Sequence, residues 1–247
     1  TDARTAGLST SLFERLLRGK TVHGTDAAPV PSTMLDVQFR MHPALASFPN
    51  QEFYGGALYD APSTHTLRPY ETIFGARDAQ DHPLPVTLVT HTSVAPQSDA
   101  GVSPYNQPQA DLVLEVACDL LERNPTLCGA DIGIVTPYEA QVRLLQKMLA
   151  AGAPLAAGTE PAAWTLPLLS EDAVDTLARM DVHRARQLAA IEVHTVDGFE
   201  GREKPVMIFS TVKASGGSLE GSAALLHACR RPSQGAVGRP QHVRGTR

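Results

Sequence analysis

Three short apolar runs in this 247-residue chain are each followed by groups able to do polar chemistry. After MLDV comes QFRMHP, with Gln38, Arg40 and His42. After IGIV comes TPYEAQ, with Thr136, Pro137, Tyr138 and Gln141. After IEVHTV comes DGFEGREK, with Asp197, Glu200, Gly201, Arg202 and Glu203. If the runs are strands of an open α/β sheet, these groups stand beyond the carboxyl ends, where such sheets bind ligands. Arginine suits phosphate because its planar, permanently charged fork donates two parallel hydrogen bonds. Two arginines at neighbouring strand ends would clamp the terminal group of a polyphosphate, and arginine so placed stabilises the charge of phosphoryl transfer. Taken singly, either arginine has a simpler reading as half of a surface salt bridge.

Other chemistries find little support. The chain has no GxxxxGKT phosphate loop, no acidic pair after an apolar strand, no HExxH and no GxSxG. Its nine histidines are scattered without metal-ligand spacing, and only His42, inside the Arg40 loop, stands out. Asp197 and Glu203 could form a carboxylate pair but lack a histidine partner. Tyr138 and Phe199 fit equally a packed core and a base-stacking role. Three widely spaced cysteines, with no CxxC, suggest neither disulfides nor zinc and point to a reducing compartment, cytosol or nucleus. Aromatics at 5% with one Trp argue against a platform of stacking rings, and a net charge of −5 argues against a basic nucleic-acid coat. A local basic groove remains compatible with both. No apolar run approaches the roughly 20 residues of a spanning helix, so no membrane partner is expected, and the N-terminal residues lack a signal-peptide pattern.

The elements that must position these groups follow from periodicity. Leu8, Leu12, Phe13, Leu16 and Leu17 predict a helix over 8–18, with Ser9 or Thr10 as cap. A short strand is expected near 34–37 and a broken helix over 44–54, ended by Gly55 and Gly56. Residues 60–85 read as a polar excursion. A strand at 86–90, a helix at 107–123, a strand at 132–136 and a helix at 138–150 follow. A flexible Gly/Ala/Pro-rich insertion is expected over 151–170, a weak helix over 170–190, and strands at 191–196 and 206–212. Alternating helices and near-continuously apolar strands imply an α/β fold, a parallel sheet covered by helices on both faces.

The strings AGLSTSLFERL, MLDVQFRMHPALASFPNQEFYGGAL, DIGIVTPYEAQVRLLQKML and IEVHTVDGFEGREKPVMIFSTVKA occur in the order and spacing of superfamily 1 helicases. The chain resembles most the group containing the RNA helicase of nonsense-mediated mRNA decay, over residues 4–60 and 84–214. The resemblance implies two RecA-like domains with ATP and Mg2+ in the cleft between them and single-stranded RNA or DNA across the top. This chain would be the second domain: 1–30 a tail of a missing first domain plus linker, 31–214 the RecA-like domain, and 215–247 a disordered basic tail. Arg40 and Arg202 would reach the phosphates as catalytic groups, with Gln38, Gly201 and Glu203 beside the nucleotide. Thr136, Pro137, Tyr138, Gln141, Thr195 and Val196 would face the nucleic-acid strand. The metal would be held by the first domain.

Two departures qualify the resemblance. Glu200 stands where the family usually has Gln. The family's final RRLNVALTRAR-type motif is matched only at its opening, by Arg230 and Arg231. The implied function is that of a second motor domain of an ATP-dependent helicase, inactive as an isolated chain. The alternative is a truncated, non-catalytic nucleic-acid-binding fragment.

Overall fold

The computed structural model describes residues 10–19, 28, 30–91, 97–99, 103–159, 169–212 and 222–230, with 90, 91, 97–99 and 222–230 described as backbone. In chain order the strands are β1 (Val37–Gln38), β2 (Tyr59–Asp60), β3 (Arg68–Pro69), β4 (Val86–His91) and β5 (Gln97–Asp99). They continue with β6 (Ser103–Tyr105), β7 (Ile132–Thr136), β8 (Glu192–Thr195), β9 (Val206–Ser210) and β10 (Ser222–Arg230). The helices are α1 (Leu12–Leu17), α2 (Pro43–Tyr54), α3 (Gln107–Arg123), α4 (Glu139–Ala156), α5 (Glu171–Arg179) and α6 (Val182–Leu188).

The main sheet runs β8–β7–β9–β10, with β3 and β4 both pairing the far side of β10. β7 is parallel to both its neighbours, and all five of its residues are buried, which is why IGIVT is continuously apolar up to its final threonine. β10 runs antiparallel to β9 on one side and to β4 on the other, Leu225 standing opposite both Phe209 and Leu88. The parallel core thus carries an antiparallel strand near one edge, a common arrangement in α/β sheets.

Helices α3 to α6 pack on one another and on the face of the sheet presented by Ile132, Ile134, Val193, Val206 and Ile208. Leu114, Leu121, Leu145, Met148, Leu177 and Leu188 are fully buried there, each contributing about 1.5–3 kcal/mol over exposure. Asn106 caps α3 by accepting from Gln109 N at 3.0 Å. The other end of α3 is closed by Arg184, whose guanidinium donates to the carbonyls of Leu121, Asn124 and Leu127, as suits a cation at a helix C-terminus. Ser170 and Asp181 cap α5 and α6.

α4 passes through Gly152 and Pro154 and ends at Ala156, beyond the expected 150. Packing is close here: a Cβ at Gly152 would lie 2.5 Å from Leu188 Cδ1, so a larger residue would push that buried side chain aside. The single weak helix expected over 170–190 is two, separated at Met180, because Asp181 restarts the helix with its own cap.

Before the sheet, α1 buries none of its residues, although its leucines follow helical spacing. The expected strand at 34–37 is reduced to Val37–Gln38, paired parallel with Tyr59–Asp60. Of the excursion at 60–85, Ala61, Thr64, Leu67 and Tyr70 are buried, so polar sequence here encloses a small apolar floor. The β5–β6 hairpin lies in a stretch where no strand was expected.

The tail reading needs correction. Residues 215–247 were expected to be disordered, but 222–230 form β10 and fill the sheet between β9 and β4. The apolar run AALLHAC within this basic stretch pairs through main-chain hydrogen bonds with the edges of β9 and β4. Residues 231–247, the start of α1's expected range and most of the 151–170 insertion beyond Thr159 lie outside the described residues.

Candidate functional site

β7, β8 and β9 are parallel, so their carboxyl ends share one edge, and Thr136 stands opposite Thr195 in register. The loop after β8 is shaped from within. Thr195 Oγ1 accepts from Gly198 N at 3.1 Å, starting a 3-10 turn over Asp197–Phe199. Phe199 turns inward, and its Cζ would meet a Cβ at Gly133 at 2.8 Å. Phe199 is therefore a core residue with His194 as ring neighbour, 6.1 Å between centroids. Gly201 then adopts φ +75, a left-handed conformation glycine takes freely, and the chain reverses into Arg202.

Arg202 Nη1 donates to Glu192 Oε2 at 2.8 Å and lies 3.5 Å from His194 Nε2. Lys204 Nζ donates to Glu192 Oε1 at 2.6 Å and to Ala130 O at 2.7 Å. Lys204 first, and Arg202 second, hold the Glu192 carboxyl below its ordinary range.

The QFRMHP loop is tied by its own glutamine. Gln38 Oε1 accepts from the backbone N–H of Arg40 (3.0 Å) and Met41 (2.8 Å), while Nε2 donates to Met41 O (2.8 Å) and Asp60 Oδ1 (2.5 Å). The tight loop turns Arg40 outward to Glu203, Nε to Oε2 at 2.7 Å. His42 caps α2, its Nδ1 accepting from Ala44 N at 3.2 Å.

Partial burial, then the nearby charges of His65 and Arg68, lower the His42 pKa below 6.5 and keep that nitrogen free to accept. Because the folded pKa is the lower one, the cap's contribution is fully present above about pH 6.5 and declines as pH falls through the folded value. The protection of amides in the first turn of α2, exchange rates being corrected for their intrinsic pH dependence, is expected to fall on acidification from pH 7 to 5, and His42→Asn, a cap without this titration, to flatten the profile. Equal pH dependence in both proteins would contradict the assignment.

The structure brings some of the expected residues together and sets others apart. Arg40 meets Glu203 at the surface, and the neighbouring Gly201 and Arg202 are exposed too, the Arg202 guanidinium turned to Glu192. Gln38 is adjacent, but all of its side-chain polar atoms are engaged in holding the loop. Pro137 and Val196 are exposed and Tyr138 and Thr195 half-buried at the carboxyl edge of β7 and β8. Thr136 and Gln141 are fully buried, so neither side chain offers a direct contact to a strand outside. Burial follows from their positions: Thr136 lies on the helix-facing side of β7, and Gln141 in the first turn of α4 points beneath the sheet ends.

Gln141 belongs to a buried polar cluster that strand-end reasoning missed. Its Oε1 accepts from Asn106 N (2.9 Å), and its Nε2 donates to Asn106 O (3.3 Å) and Ser210 Oγ (3.2 Å). Gln109 Oε1 in turn accepts from Ser210 Oγ and Val212 N. One sequence signal was available: Gln109 lies one turn before Val113 on the apolar stripe of α3, where an uncharged amide demands a buried partner.

A sheet with a parallel core and helices packed on it fits the RecA-like class of α/β fold. A family profile described as "AAA domain" matches residues 8–235. The chain belongs to this AAA domain family, on its superfamily 1 helicase side. It is 30% identical over 221 residues to the probable helicase MAGATAMA 3 of Arabidopsis thaliana, covering 87% of this chain and 21% of that protein. Over 218 residues it is 27% identical to the regulator of nonsense transcripts 1 homolog of Neurospora crassa, covering 86% and 16%. Helicase SEN1 of Saccharomyces cerevisiae is 27% identical over 187 residues, covering 73% and 7%. The chain thus spans about a fifth or less of the length of these relatives.

Proposed function

We propose that this chain is the second motor domain of an ATP-dependent helicase, supplying arginines to a nucleotide cleft and loops that grip single-stranded RNA or DNA. The observation that carries this reading is the pairing of Arg40 with Glu203 of the GREK segment, Nε to Oε2 at 2.7 Å, beside β7 and β8, which deliver TPYEAQ and VDGF at their shared carboxyl edge. The relatives named as helicases agree with it.

The donor set fits the phosphate end of ATP. Arg40 and Arg202 are exposed and each is paired with a carboxylate at the surface, an interaction worth about 0–1 kcal/mol. Phosphate, with more charge and bidentate geometry, displaces a carboxylate from such a pair at little cost. Glu203 and the Gly201 backbone then line the same place. Among the described residues no group of three or more His, Cys, Asp or Glu could hold a metal ion, and the proposal assigns Mg2+ to a first domain carrying its own phosphate loop. When bound, ATP supplies the phosphoryl group whose developing charge the two guanidinium groups stabilise. Pro137, Tyr138, Thr195 and Val196 present backbone and hydroxyl groups to sugar and phosphate, contacts that carry no sequence information and suit stepping along any strand.

The test measures ATP hydrolysis by the intact protein containing this chain, with and without single-stranded RNA and DNA, beside the 247-residue chain alone. Strand-stimulated turnover by the intact protein with none by the isolated chain is expected. A robust magnesium-dependent rate from the isolated chain would overturn the two-domain assignment. An intact protein that binds strand without hydrolysis would instead support the non-catalytic alternative.

A further inference from the structure

The excursion at 60–85, which no step of the proposed motor uses, folds around a cleft of about 740 Å³ whose lining includes His42, Leu67, Arg68, Glu71, His82 and Leu84. Local hydrogen bonds fix its shape. Asp78 Oδ1 accepts from the backbone N–H of Gln80 and of His82, each at 2.9 Å, and Asp78 N donates to His82 O at 2.9 Å. Arg77 Nη1 donates to Asp81 O at 2.8 Å, closing the turn over a left-handed Asp81 with φ +64, a conformation aspartate tolerates. One wall of the cleft is thus set before any ligand arrives, which lowers the ordering cost of binding.

Charge decides what the cleft takes. Its acidic groups are already engaged: Glu71 Oε2 accepts from Arg77 Nη2 at 2.8 Å, and Asp78 Oδ2 lies 3.3 Å from His82 Nδ1. His42 spends its Nδ1 on the cap of α2. Arg68 is exposed and has no carboxylate partner among the described residues, where its guanidinium reaches the carbonyl of Leu67 at 3.5 Å. An uncompensated guanidinium fork suits phosphate. The rest of the lining is of two kinds. Glu71 Oε1 has no partner among the described residues, and a carboxylate oxygen is the group that holds ribose hydroxyls in dinucleotide sites. Buried Leu67, with Pro83, Leu84 and Pro85, presents an apolar surface that can take a ring without reading its edge. The volume lies within the range of small-molecule sites.

We propose that this cleft is a nucleotide site in its own right, separate from Arg40 and Arg202, which takes a nucleoside monophosphate unit with its phosphate on Arg68, its ribose hydroxyls on Glu71 and its base against Leu84 and the prolines. A free nucleotide and the 5′-phosphorylated end of a strand offer that same chemistry. The site does not depend on the motor reading. His42 joins the two places, since it lines the cleft and stands two residues beyond Arg40.

The test follows backbone amide NMR shifts of the 247-residue chain on titration with uridine 5′-monophosphate, uridine, inorganic phosphate, and oligouridine with and without a 5′-phosphate. The monophosphate is expected to give saturating shifts at Leu67, Arg68, Glu71 and Leu84 with Ile134 in β7 unchanged. Uridine and phosphate alone are expected to bind about tenfold or more weakly. Shifts of the same amides by oligouridine only when it carries the 5′-phosphate identify a strand end as the source; response to the monophosphate alone identifies the free nucleotide. Arg68→Gln is expected to weaken the monophosphate about tenfold or more, and Arg40→Ala to leave it unchanged. Leu84→Asn is expected to weaken the monophosphate but not inorganic phosphate, and it decides if Arg68→Gln fails to fold. The proposal is overturned by no shift at millimolar monophosphate, by shifts gathered at Arg40 and Arg202 instead, or by unchanged affinity in a folded Arg68→Gln. Inorganic phosphate binding as tightly as the monophosphate would reduce the cleft to an anion contact and overturn it too. None of these results bears on strand-stimulated hydrolysis by the intact protein, so the two readings fail separately.

Discussion

In an intact protein joining this chain to a phosphate-loop domain, Arg40→Ala is expected to lower ATP hydrolysis by about 10³-fold or more while single-strand affinity changes less than about twofold. The guanidinium is exposed and, among the described residues, paired at the surface with Glu203, so its removal leaves no buried charge and disturbs no core. Pro137, Tyr138 and Val196, proposed to face the strand, belong to other loops and are untouched. Arg40→Lys should recover little, because an ammonium lacks the planar fork. Steady-state hydrolysis and strand anisotropy on the same preparations check this. Equal hydrolysis by Arg40→Ala and its parent would remove Arg40 from the cleft.

The second large effect concerns folding. Gly129→Ala is expected to cost about 3 kcal/mol, read as a lower denaturant midpoint. A Cβ at this position would lie 1.8 Å from Gln187 O and 2.8 Å from Gln187 C, main-chain atoms that cannot swing aside. Gly129 N also donates to Gln187 Oε1 at 3.1 Å. Relieving the clash would drive the end of α6 off the turn that starts β7. Gly201→Ala makes the contrast: nothing lies within 4 Å of its Cβ, but φ is +75, so only the left-handed penalty of about 1 kcal/mol applies. Equal losses at the two sites would mean that backbone conformation, not close approach, governs both.

The apolar strands and amphipathic helices of the sheet region were legible because packing and local pattern agree there. α3 spans the expected 107–123, and IGIVT coincides with β7. Pattern failed where a distant partner decides the outcome. β10 is written in ordinary apolar residues beside arginines, and only the open edges of β9 and β4 make it a strand. α4 outlasts its glycine and proline, with Gly152 packed closely against Leu188 of α6.

The site divides in the same way. Exposed arginines after apolar runs announce themselves by type and position. The burial of Thr136 and Gln141, and the engagement of Gln38 with its own loop, depend on which way each side chain faces at a strand or helix end. That choice is made by neighbours such as Ser210 and Asp60, many residues away in sequence, and no local spacing reveals it.

The place of β10 bears on how the molecule is made. β4 leaves synthesis early, yet its sheet partner among the described residues is β10, with position 88 waiting for position 225. Pairing over such a separation is slow, since a long loop must close before any contact rewards it. On the ribosome, β4 would emerge with a bare edge and stay so until β10 arrives, an interval in which the nascent chain is open to edge-to-edge association. Completion of this sheet therefore waits until β10 has followed β4 off the ribosome.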